Sequence, residues 1–418
     1  MKTLFVYYEK LKVGILSCSE DLTYTFAYED KWRKHAGAFP LSLSMPLDQK
    51  EFGNRITLSF FENLLPEGGV RRRLEQAKQI KGPFSFLEQF GRDVAGAVVL
   101  TSRDAPPETD PTARVAVDMA KVYQAVRDRE PVAEVIAEMN PGYLSLAGAQ
   151  DKFAAIFEDG EFFLPGRGGA TTHIVKAPIQ RKGVSDTVYN EYYCMQLAKA
   201  VGLNVPHTQV VDSELPLFII ERYDRKHVPG QPVRRLHQQD FCQAQGVTSD
   251  AKYEALGGPT LQNNYALIRE NVTVRRKVED IKQFFSWLSF NLIIGNNDCH
   301  AKNLSFLLVG GKIQLSPFYD LMSTAIYANL DRHFAYKIGG RARADQLGRK
   351  QFEVLETQFD IRPGVFRDHI RQIAELIENR MDPVAEAVAT QFPAAKVQGR
   401  IISLIQKRIK GLRERGAK

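Results

Sequence analysis

The pattern of apolar and polar residues divides the chain into a first part rich in predicted strands and a second part that is mainly helical. Before residue 226, short apolar or alternating runs lie between polar turns and predict strands, among them LFVYYE, VGILSCS and YTFAYE. After that residue, apolar positions recur at helical spacing, most clearly in RKVEDIKQFFSWLSFNLIIG. The pattern therefore predicts an α+β protein in which a β-rich part precedes an α-helical part.

Changes in composition along the chain predict its domains. Residues 1–105 are predicted to form a β-rich N-terminal domain, which ends in the polar, proline-rich linker TSRDAPPETDPTARV. Residues 116–225 combine a helical stretch with further strands, and residues 226–418 hold most of the predicted helices. A chain of 418 residues is long enough for two or three domains, each with a sizeable core.

Composition indicates an ordinary globular protein that stays in the cytoplasm. Charged residues interrupt the N-terminal run MKTLFVYYEKLKVGIL, and the most apolar stretch, FFSWLSFNLIIG, is too short and too polar to cross a bilayer. The four cysteines are scattered without a CxxC pair, as expected for reduced thiols. A net charge of +7 permits nucleic acid or an acidic partner but decides nothing, because many enzymes are this basic.

The loop NLIIGNNDCHAKN, residues 291–303, carries the strongest chemical pattern. An apolar helical run ends at Gly295, and a polar loop leads to the apolar strand LSFLLV. Asp298 and Asn303 are spaced as in the kinase catalytic loop D-x-x-x-x-N. Asp298 would orient and deprotonate an acceptor hydroxyl, while neutral Asn303 would offer an oxygen to Mg²⁺. Asp320 follows in the order expected of a second metal ligand, so the sequence predicts a phosphotransferase.

Two stretches before this loop are candidates for binding the phosphates of a nucleotide. In LSLAGAQDKFAAIF, two strands flank a turn of small residues, which lets backbone N–H groups approach phosphate oxygens. A plain hairpin turn is the alternative, because the turn has one glycine where protein kinases have three. Lys176, in the strand TTHIVKAP, occupies the place of the phosphate-binding lysine in kinase order. A lysine that points to solvent is the alternative there.

Seven segments in order make the chain resemble the HipA family of bacterial toxin serine/threonine kinases, from toxin–antitoxin modules linked to persistence. The segments are LSLAGAQDK, TTHIVKAP, NEYYCMQLAKAVGLNVP, ERYDR, DFCQ, NNDCHAKN and SPFYDL. PLSLSMPL and FFENLLPEG resemble the N-terminal domain of the family, so the resemblance covers nearly the whole chain. It implies a two-lobed, protein-kinase-like fold with a β-rich small lobe, an α-helical large lobe and an N-terminal β-rich accessory domain.

The resemblance also implies the cofactors ATP and Mg²⁺ and a role for each site residue. Asp298 becomes the catalytic base, Asn303 and Asp320 the Mg²⁺ ligands, and Lys176 the lysine that binds ATP phosphates. Ser145 falls on the serine that family members autophosphorylate. The other nucleotide contacts are expected from the phosphate loop, the hinge and the catalytic loop, namely Ser145, Ala147, Gly148, Ala149, Gln150, Glu221, Tyr223, His300 and Lys302. His300 and Lys302 are both candidates for the place nearest the γ-phosphate.

A substrate and partners follow from the same resemblance. An aminoacyl-tRNA synthetase, first of all glutamyl-tRNA synthetase, is the expected substrate, and its phosphorylation would stop tRNA charging and arrest growth. A helix-turn-helix antitoxin of the HipB type is the expected partner, which would carry the kinase to operator DNA. Two alternatives stay open: a weakly active or non-catalytic co-repressor in a toxin–antitoxin–DNA complex, and a kinase of a small molecule. The intact set of site residues argues against the first, and the N-terminal domain and Ser145 motif argue against the second.

The C-terminal segment, KVQGRIISLIQKRIKGLRERGAK, predicts a helix with one apolar face. Its basic residues are predicted to lie largely outside that face, namely Lys407, Arg408, Lys410, Arg413 and Arg415. A solvated basic surface and a surface that approaches operator phosphates are both compatible with this pattern.

Overall fold

The computed structural model describes residues 1–108, 110, 113–140, 150–166, 168–228 and 232–416. Ser145, Ala147, Gly148 and Ala149 of the predicted phosphate loop lie outside the described residues. The chain divides into two compact units. The first comprises Met1–Ala177, Ile219–Asp250 and Phe306–Gly311, and the second comprises Pro178–Phe218, Ala251–Ser305 and Lys312–Lys418. The three domains inferred from composition stay a prediction.

Strands dominate the early part of the described chain and helices the later part. The strands are β1 Lys2–Tyr8, β2 Leu11–Cys18, β3 Tyr24–Tyr28, β4 Glu51–Phe52, β5 Val99–Thr101, β6 Arg114–Ala116, β7 Lys152–Glu158, β8 Glu161–Pro165, β9 His173–Lys176, β10 Thr208–Asp212, β11 Pro216–Glu221, β12 Arg225–Lys226, β13 Arg234–Arg235, β14 Gln238–Asp240, β15 Ser305–Val309 and β16 Lys312–Leu315. The α-helices are α1 Asp30–Arg33, α2 Asn54–Phe61, α3 Gly68–Ala77, α4 Gly82–Phe90, α5 Met119–Asp128, α6 Val132–Met139, α7 Thr187–Ala200, α8 Phe241–Ala244, α9 Leu261–Asn271, α10 Lys277–Ile294, α11 Arg349–Gln358, α12 Val365–Gln391 and α13 Gln398–Glu414.

The first unit begins with a five-stranded sheet in the order β4-β3-β2-β1-β5. The runs LFVYYE, VGILSCS and YTFAYE are confirmed as β1, β2 and β3, and their pairing is antiparallel. Alternate residues such as Leu4 and Val6 are buried, because one face of the sheet covers an aromatic core that includes Trp32, Phe60 and Phe61. This core is the reason the alternating pattern was readable in the sequence.

Two N-terminal segments bind a much later part of the same unit. The Ser42 hydroxyl lies 2.9 Å from Gln239 Oε1, and the backbone N–H of Leu43 donates to the same oxygen at 2.8 Å. Glu62 accepts a hydrogen bond from the Ser249 hydroxyl at 2.8 Å. These buried contacts explain why residues 219–250 belong to the compact unit that contains the N-terminal sheet.

His237, to which the sequence assigned no role, is part of this arrangement. Its ring is buried, and Nε2 lies 2.8 Å from the backbone oxygen of Leu41. The ring also stacks on Phe39 with 4.6 Å between centroids. Its role in the fold is therefore to hold residues 39–41 against the start of the later segment.

A second sheet of the first unit contains the strands in the order β11-β9-β7-β8-β6. Strands β7 and β9 are antiparallel, and their register places Lys152 directly opposite Lys176. β11 ends at Glu221, and the backbone N–H of Arg222 donates to the Thr172 oxygen at 2.8 Å. This sheet therefore carries Lys176 and the predicted hinge on neighbouring strands.

Buried charges fix the chain directly after β11. Arg222 pairs with Asp224 at 2.8 Å, and Arg225 pairs with the same carboxylate at 2.9 Å. The guanidinium groups of both arginines also donate to the backbone oxygen of Val94, at 3.0 and 3.1 Å. Because buried charges are costly unless they are paired, this network holds the residues on both sides of Tyr223 in defined positions.

In the second unit, α10 is the central helix. It is buried at every position from Phe284 to Ile294 and packs against α9, α12 and α13. A helix that is apolar all round must be covered on all sides, which explains the long run FFSWLSFNLIIG. Phe285 stacks on Phe359 with a centroid distance of 5.9 Å. The apolar stretch FFSWLSFNLIIG therefore forms the core of the second unit.

Helix α13 confirms the predicted apolar face but corrects the placement of two basic residues. Ile401, Ile405, Ile409 and Leu412 are buried, while Lys407, Lys410 and Arg413 are exposed. Arg408 and Arg415, predicted to lie outside the packed face, are instead partly buried. Their guanidinium groups donate to the backbone oxygens of Leu292 and Leu347, respectively.

Two smaller predictions from composition can be compared with the structure. The four cysteines are buried free thiols. No helix within the described ranges is long and apolar enough to cross a membrane.

Candidate functional site

The loop after α10 is held in place by side-chain amides. Helix α10 ends at Gly295, which has a left-handed φ of 77°. A Cβ at this position would lie 2.8 Å from Leu404 Cδ2 and 2.9 Å from Ala325 Cβ, so both conformation and space favour glycine. The amide of Asn296 then donates to Asn291 Oδ1 at 2.8 Å and to the backbone oxygen of Asp320 at 2.9 Å. The two segments that carry the predicted catalytic and metal-binding residues are thereby tied together.

Asp298 is the exposed residue of an otherwise buried loop. Asn296, Asn297 and residues 299–303 are all buried, whereas Asp298 is open to solvent. Its Oδ1 accepts a hydrogen bond from the Tyr253 hydroxyl at 2.5 Å. Burial, with the Asp298 charge as a smaller cause, raises the pKa of the neighbouring Cys299 thiol well above its ordinary value. The carboxylate can therefore meet an external hydroxyl, while Cys299 stays a neutral core residue.

Asn303 and Asp320 lie side by side, as the predicted metal site requires. Asn303 Nδ2 donates to Asp320 Oδ2 at 3.3 Å, and Asn303 Oδ1 is buried without a hydrogen-bond partner among the described residues. Asp320 has a φ of 55°, a conformation that non-glycine residues rarely adopt and that often marks functional positions.

These two residues fit Mg²⁺, which is bound by one or two protein oxygens together with phosphates and water. The unpartnered amide oxygen of Asn303 and the carboxylate of Asp320 supply such a pair. Within the described ranges, no group of three or more His, Cys, Asp or Glu side chains forms a metal site. The donor set therefore suits a metal that arrives with a nucleotide better than a resident structural ion.

His300 and Lys302 lie in the same loop, and both are buried. The ring of His300 meets the ring of Tyr253 edge to face, with centroids 5.1 Å apart. The backbone oxygen of Lys302 accepts a hydrogen bond from the Tyr319 hydroxyl at 2.7 Å. These contacts help to fix the loop between Asp298 and Asn303. The contact of either residue with the γ-phosphate stays a prediction.

Lys176, in the first unit, is buried rather than exposed, with 2% of its surface accessible. The alternative of a lysine that points to solvent is therefore wrong. Lys152 lies opposite it on the same face of the sheet and is 7% accessible. Two buried lysines therefore lie side by side on this face of the sheet. Lys152 was not predicted as a site residue. Its position at the start of the alternating run KFAAIF, directly after the predicted phosphate loop, could have indicated it.

Three other predicted nucleotide contacts of the first unit are described, Gln150, Glu221 and Tyr223, and they lie on the same sheet or next to it. Gln150 donates from Nε2 to the backbone oxygen of Ala177 at 3.3 Å, directly after Lys176. Glu221 is exposed at the end of β11, and the half-buried Tyr223 donates its hydroxyl to Gln238. The backbone of residues 221–223 thus follows the edge of a strand, where an adenine edge could pair with it.

Comparison with known proteins covers both the N-terminal and the later parts of the chain. Residues 4–101 match the model of the HipA N-terminal domain, and residues 144–382 match the model of the HipA-like C-terminal domain. The chain belongs to the HipA family. The C-terminal match spans Lys176, Asp298, Asn303 and Asp320, and the N-terminal match spans both segments that resembled the HipA accessory domain.

Similar proteins agree with this membership in the HipA family. Putative kinase Y4mE of Sinorhizobium fredii is 34% identical over 399 residues, which are 93% of this chain and 91% of the relative. The serine/threonine-protein kinase toxin HipA of Shewanella oneidensis is 32% identical over 352 residues, which are 80% of this chain and 78% of the relative. A solved structure of Shewanella oneidensis HipA with HipB and operator DNA has a TM-score of 0.82 at 25% identity, covering 98% of this chain and 96% of that chain.

These findings confirm three predictions. The chain is a HipA-family member, its fold is the α+β, kinase-like fold expected of that family, and its class of enzyme is the serine/threonine kinase. The individual roles of the site residues stay predictions.

Proposed function

We propose that this HipA-family kinase uses ATP and Mg²⁺ to phosphorylate serine or threonine in a protein substrate and thereby acts as a growth-arresting toxin. The observation that carries the proposal is the arrangement of the second unit. An exposed Asp298 lies on a buried loop that also supplies Asn303, whose unpartnered oxygen lies beside the carboxylate of Asp320. This is the residue set that kinases use to position a hydroxyl and a metal-bound phosphate.

Each residue has a chemical task in this proposal. Asp298 accepts the hydrogen bond of the substrate hydroxyl and takes its proton as the new phosphorus–oxygen bond forms. Asn303 Oδ1 and the Asp320 carboxylate hold Mg²⁺, which when bound neutralises charge on the phosphates. Lys176, together with Lys152 opposite it, supplies positive charge for the nucleotide phosphates. His300 and Lys302 add two further groups that can donate hydrogen bonds or carry charge near Asp298.

Further nucleotide contacts are proposed for two parts of the first unit, the hinge and the phosphate loop. Backbone groups of Glu221 and Tyr223 pair with the adenine edge, and the buried charges of Arg222 and Asp224 hold that backbone in place. The predicted phosphate loop, Ser145–Gln150, is the proposed source of contacts to the phosphates, on the strength of the family resemblance. Phosphorylation of Ser145 adds roughly two negative charges to this loop, so it competes with ATP and empties the site. Mass spectrometry after incubation with ATP, with Ser145→Ala as control, tests this switch.

A HipB-type helix-turn-helix antitoxin is the proposed partner, and it would bring the kinase to operator DNA. The solved complex of Shewanella oneidensis HipA with HipB and operator DNA supports this part of the proposal. The proposed substrate is an aminoacyl-tRNA synthetase, with glutamyl-tRNA synthetase as the first candidate, and its modification would lead to persistence. The proposed compartment is the cytoplasm, where the four free thiols remain reduced.

The decisive experiment is incubation with γ-labelled ATP, Mg²⁺ and a nucleotide-depleted bacterial extract, followed by identification of every labelled protein. Asp298→Asn keeps the shape of the loop without the base, so it should abolish labelling and retain ATP binding. Asp360→Asn is the matched control, because Asp360 is an exposed aspartate of the same unit. Antitoxin and operator binding without any transfer would favour the co-repressor alternative, and labelling unchanged in Asp298→Asn would refute the role of Asp298.

A further inference from the structure

Tyr253, which the kinase pattern did not predict, contacts the carboxylate of Asp298 directly. Its hydroxyl donates to Asp298 Oδ1 at 2.5 Å, within the range of short, charge-assisted hydrogen bonds. Because Asp298 is exposed, a hydrogen bond to its carboxylate restricts the rotamers that this side chain can adopt. We propose that Tyr253 is a positioning residue that fixes the carboxylate of Asp298 for proton transfer. The inference rests on the proposed role of Asp298 as the catalytic base.

Two further contacts tie Lys252 and Tyr253 to the catalytic loop, and a third joins Lys252 to the Tyr253 ring. The backbone N–H of Ala301 donates to the Lys252 oxygen at 3.3 Å. The rings of Tyr253 and His300 meet edge to face at 5.1 Å, and Lys252 Nζ lies 5.5 Å from the centroid of the Tyr253 ring. The ring of Tyr253 therefore contacts the loop directly, and the backbone of the preceding residue, Lys252, is hydrogen-bonded to the same loop.

A tight turn holds this short segment from the other side. The backbone N–H groups of Leu256 and Gly258 both donate to the Tyr253 oxygen at 3.0 Å. A Cβ at Gly258 would lie 1.8 Å from the Ala251 oxygen, so only glycine allows the turn to close this far. The turn, the ring contact and the backbone hydrogen bond together indicate that the segment around Tyr253 keeps one fixed position beside the catalytic loop.

The hydrogen bond leaves the carboxylate able to act on a substrate. A carboxylate has two acceptor oxygens, so the bond to Oδ1 orients Oδ2 without consuming it. General-base catalysis requires the base within hydrogen-bonding reach of the proton that it removes. A residue that fixes the orientation of the Asp298 carboxylate should therefore affect the rate of phosphoryl transfer. It should not affect the binding of ATP.

The first test compares two tyrosine-to-phenylalanine variants in the transfer assay with γ-labelled ATP and nucleotide-depleted extract. Tyr253→Phe keeps the ring contact with His300 and removes one oxygen. We expect kcat to fall by about tenfold or more and the KM for ATP to stay unchanged. Tyr189→Phe is the matched control, because the Tyr189 hydroxyl also donates to an aspartate of the same unit, Asp212, at 2.7 Å. Its kcat should equal that of the wild type.

A second test shows whether Tyr253 acts through Asp298. Long incubation measures the trace of transfer that remains once Asp298→Asn has abolished labelling at the ordinary assay time, and adding Tyr253→Phe should not reduce this trace further, because the group that Tyr253 positions is gone. A full additional loss would overturn the inference, since it would place the effect of Tyr253 elsewhere in the fold. Thermal unfolding of all variants shows that the comparison is made between folded proteins.

The remaining outcomes separate this inference from the proposed function. An unchanged kcat in Tyr253→Phe, with Asp298→Asn inactive, overturns the positioning role and leaves the kinase assignment intact. A kcat of Tyr253→Phe above that of the wild type would also overturn the positioning role, because the Tyr253 hydroxyl would then hinder access of the substrate hydroxyl to Asp298. Phosphate found on Tyr253 would also overturn it and make the residue an acceptor itself. If the wild type transfers no label at all, the proposed function fails and the inference fails with it.

Discussion

Asp93 and Arg225 form a buried ion pair in which Asp93 Oδ1 lies 2.9 Å from a terminal nitrogen of the Arg225 guanidinium. Arg222 and Arg235 approach the same carboxylate at 3.3 and 3.2 Å. Burial alone would raise the pKa of Asp93, but the three guanidinium groups outweigh it and lower that pKa far below its usual range. An aspartate next to the N-terminal sheet therefore compensates the arginines that flank the predicted adenine-binding hinge.

Replacement of Asp93 by asparagine should destabilise the protein strongly. It removes the charge that offsets buried guanidinium groups, and breaking a buried pair in this way costs about 3–5 kcal/mol of the free energy of unfolding. Urea denaturation at neutral pH measures the effect. Asp30→Asn is the matched control, because Asp30 pairs with Lys50 at the exposed surface of the same unit, where little change is expected. Equal effects of both variants would contradict the prediction.

The buried ring of His237 predicts a dependence of stability on pH. Burial lowers the pKa of His237 from 6.5 to about 4, although the hydrogen bond to Leu41 and the charge of Asp224 offset part of this effect. Between these values the unfolded chain binds a proton that the folded chain does not. The contribution of neutral His237 to the free energy of unfolding is therefore fully present above pH 6.5 and is lost as the pH falls towards 4. It amounts to about 3 kcal/mol.

His237→Gln provides the test, because glutamine does not titrate in this range. As the pH is lowered from 7 to 4, the wild type should lose most of the contribution of about 3 kcal/mol from His237, and the variant should not. The difference in free energy of unfolding between the two proteins should therefore decrease. His35→Gln replaces an exposed histidine of the same unit and serves as the control for the loss of a histidine as such. A constant difference between wild type and His237→Gln across this pH range would show that His237 does not titrate as expected.

Local patterns predicted the elements of the fold better than the contacts between them. Strands β1 to β3 and the end of α10 at Gly295 were readable because alternation, helical spacing and glycine act over a few residues. The order of Asp298, Asn303 and Asp320 was readable because kinase chemistry demands it. Asp93 and Arg225, however, are 132 residues apart, and Tyr253 and Asp298 are 45 apart. No period or motif links such pairs, since the folded chain alone brings them together.

Loss of the Asp320 charge should weaken binding of the metal–nucleotide complex. Asp320 and Asn303 supply the proposed oxygen ligands, so Asp320→Asn should raise the Mg²⁺ concentration needed for half-maximal transfer by about tenfold or more. Titration of Mg²⁺ at fixed ATP measures this change. Asp298→Asn serves for comparison, because it should abolish transfer while calorimetry still detects binding of Mg–ATP. Wild-type Mg²⁺ dependence in Asp320→Asn would remove Asp320 from the metal site.

Arg408 gives a last prediction, which concerns the support of the catalytic loop from the C-terminal helix. Its guanidinium donates to the Leu292 oxygen and reaches Asn297 Oδ1 at 3.5 Å. Leu292 belongs to the last turn of α10, whose backbone oxygens have no partner within the helix, and Asn297 directly precedes Asp298. Burial lowers the pKa of Arg408 to about 10, so the group is still charged at neutral pH.

Arg408→Ala should therefore reduce both stability and rate. Leaving the buried acceptors unsatisfied costs about 1–3 kcal/mol, and a looser turn before Asp298 should lower kcat while the KM for ATP stays nearly constant. Lys407→Ala changes the neighbouring, exposed residue of the same helix and should match the wild type in both measurements. If the two variants behave alike, the contacts of Arg408 with Leu292 and Asn297 contribute to neither stability nor rate. If Arg408→Ala alone loses stability and rate, the C-terminal helix supports the catalytic loop.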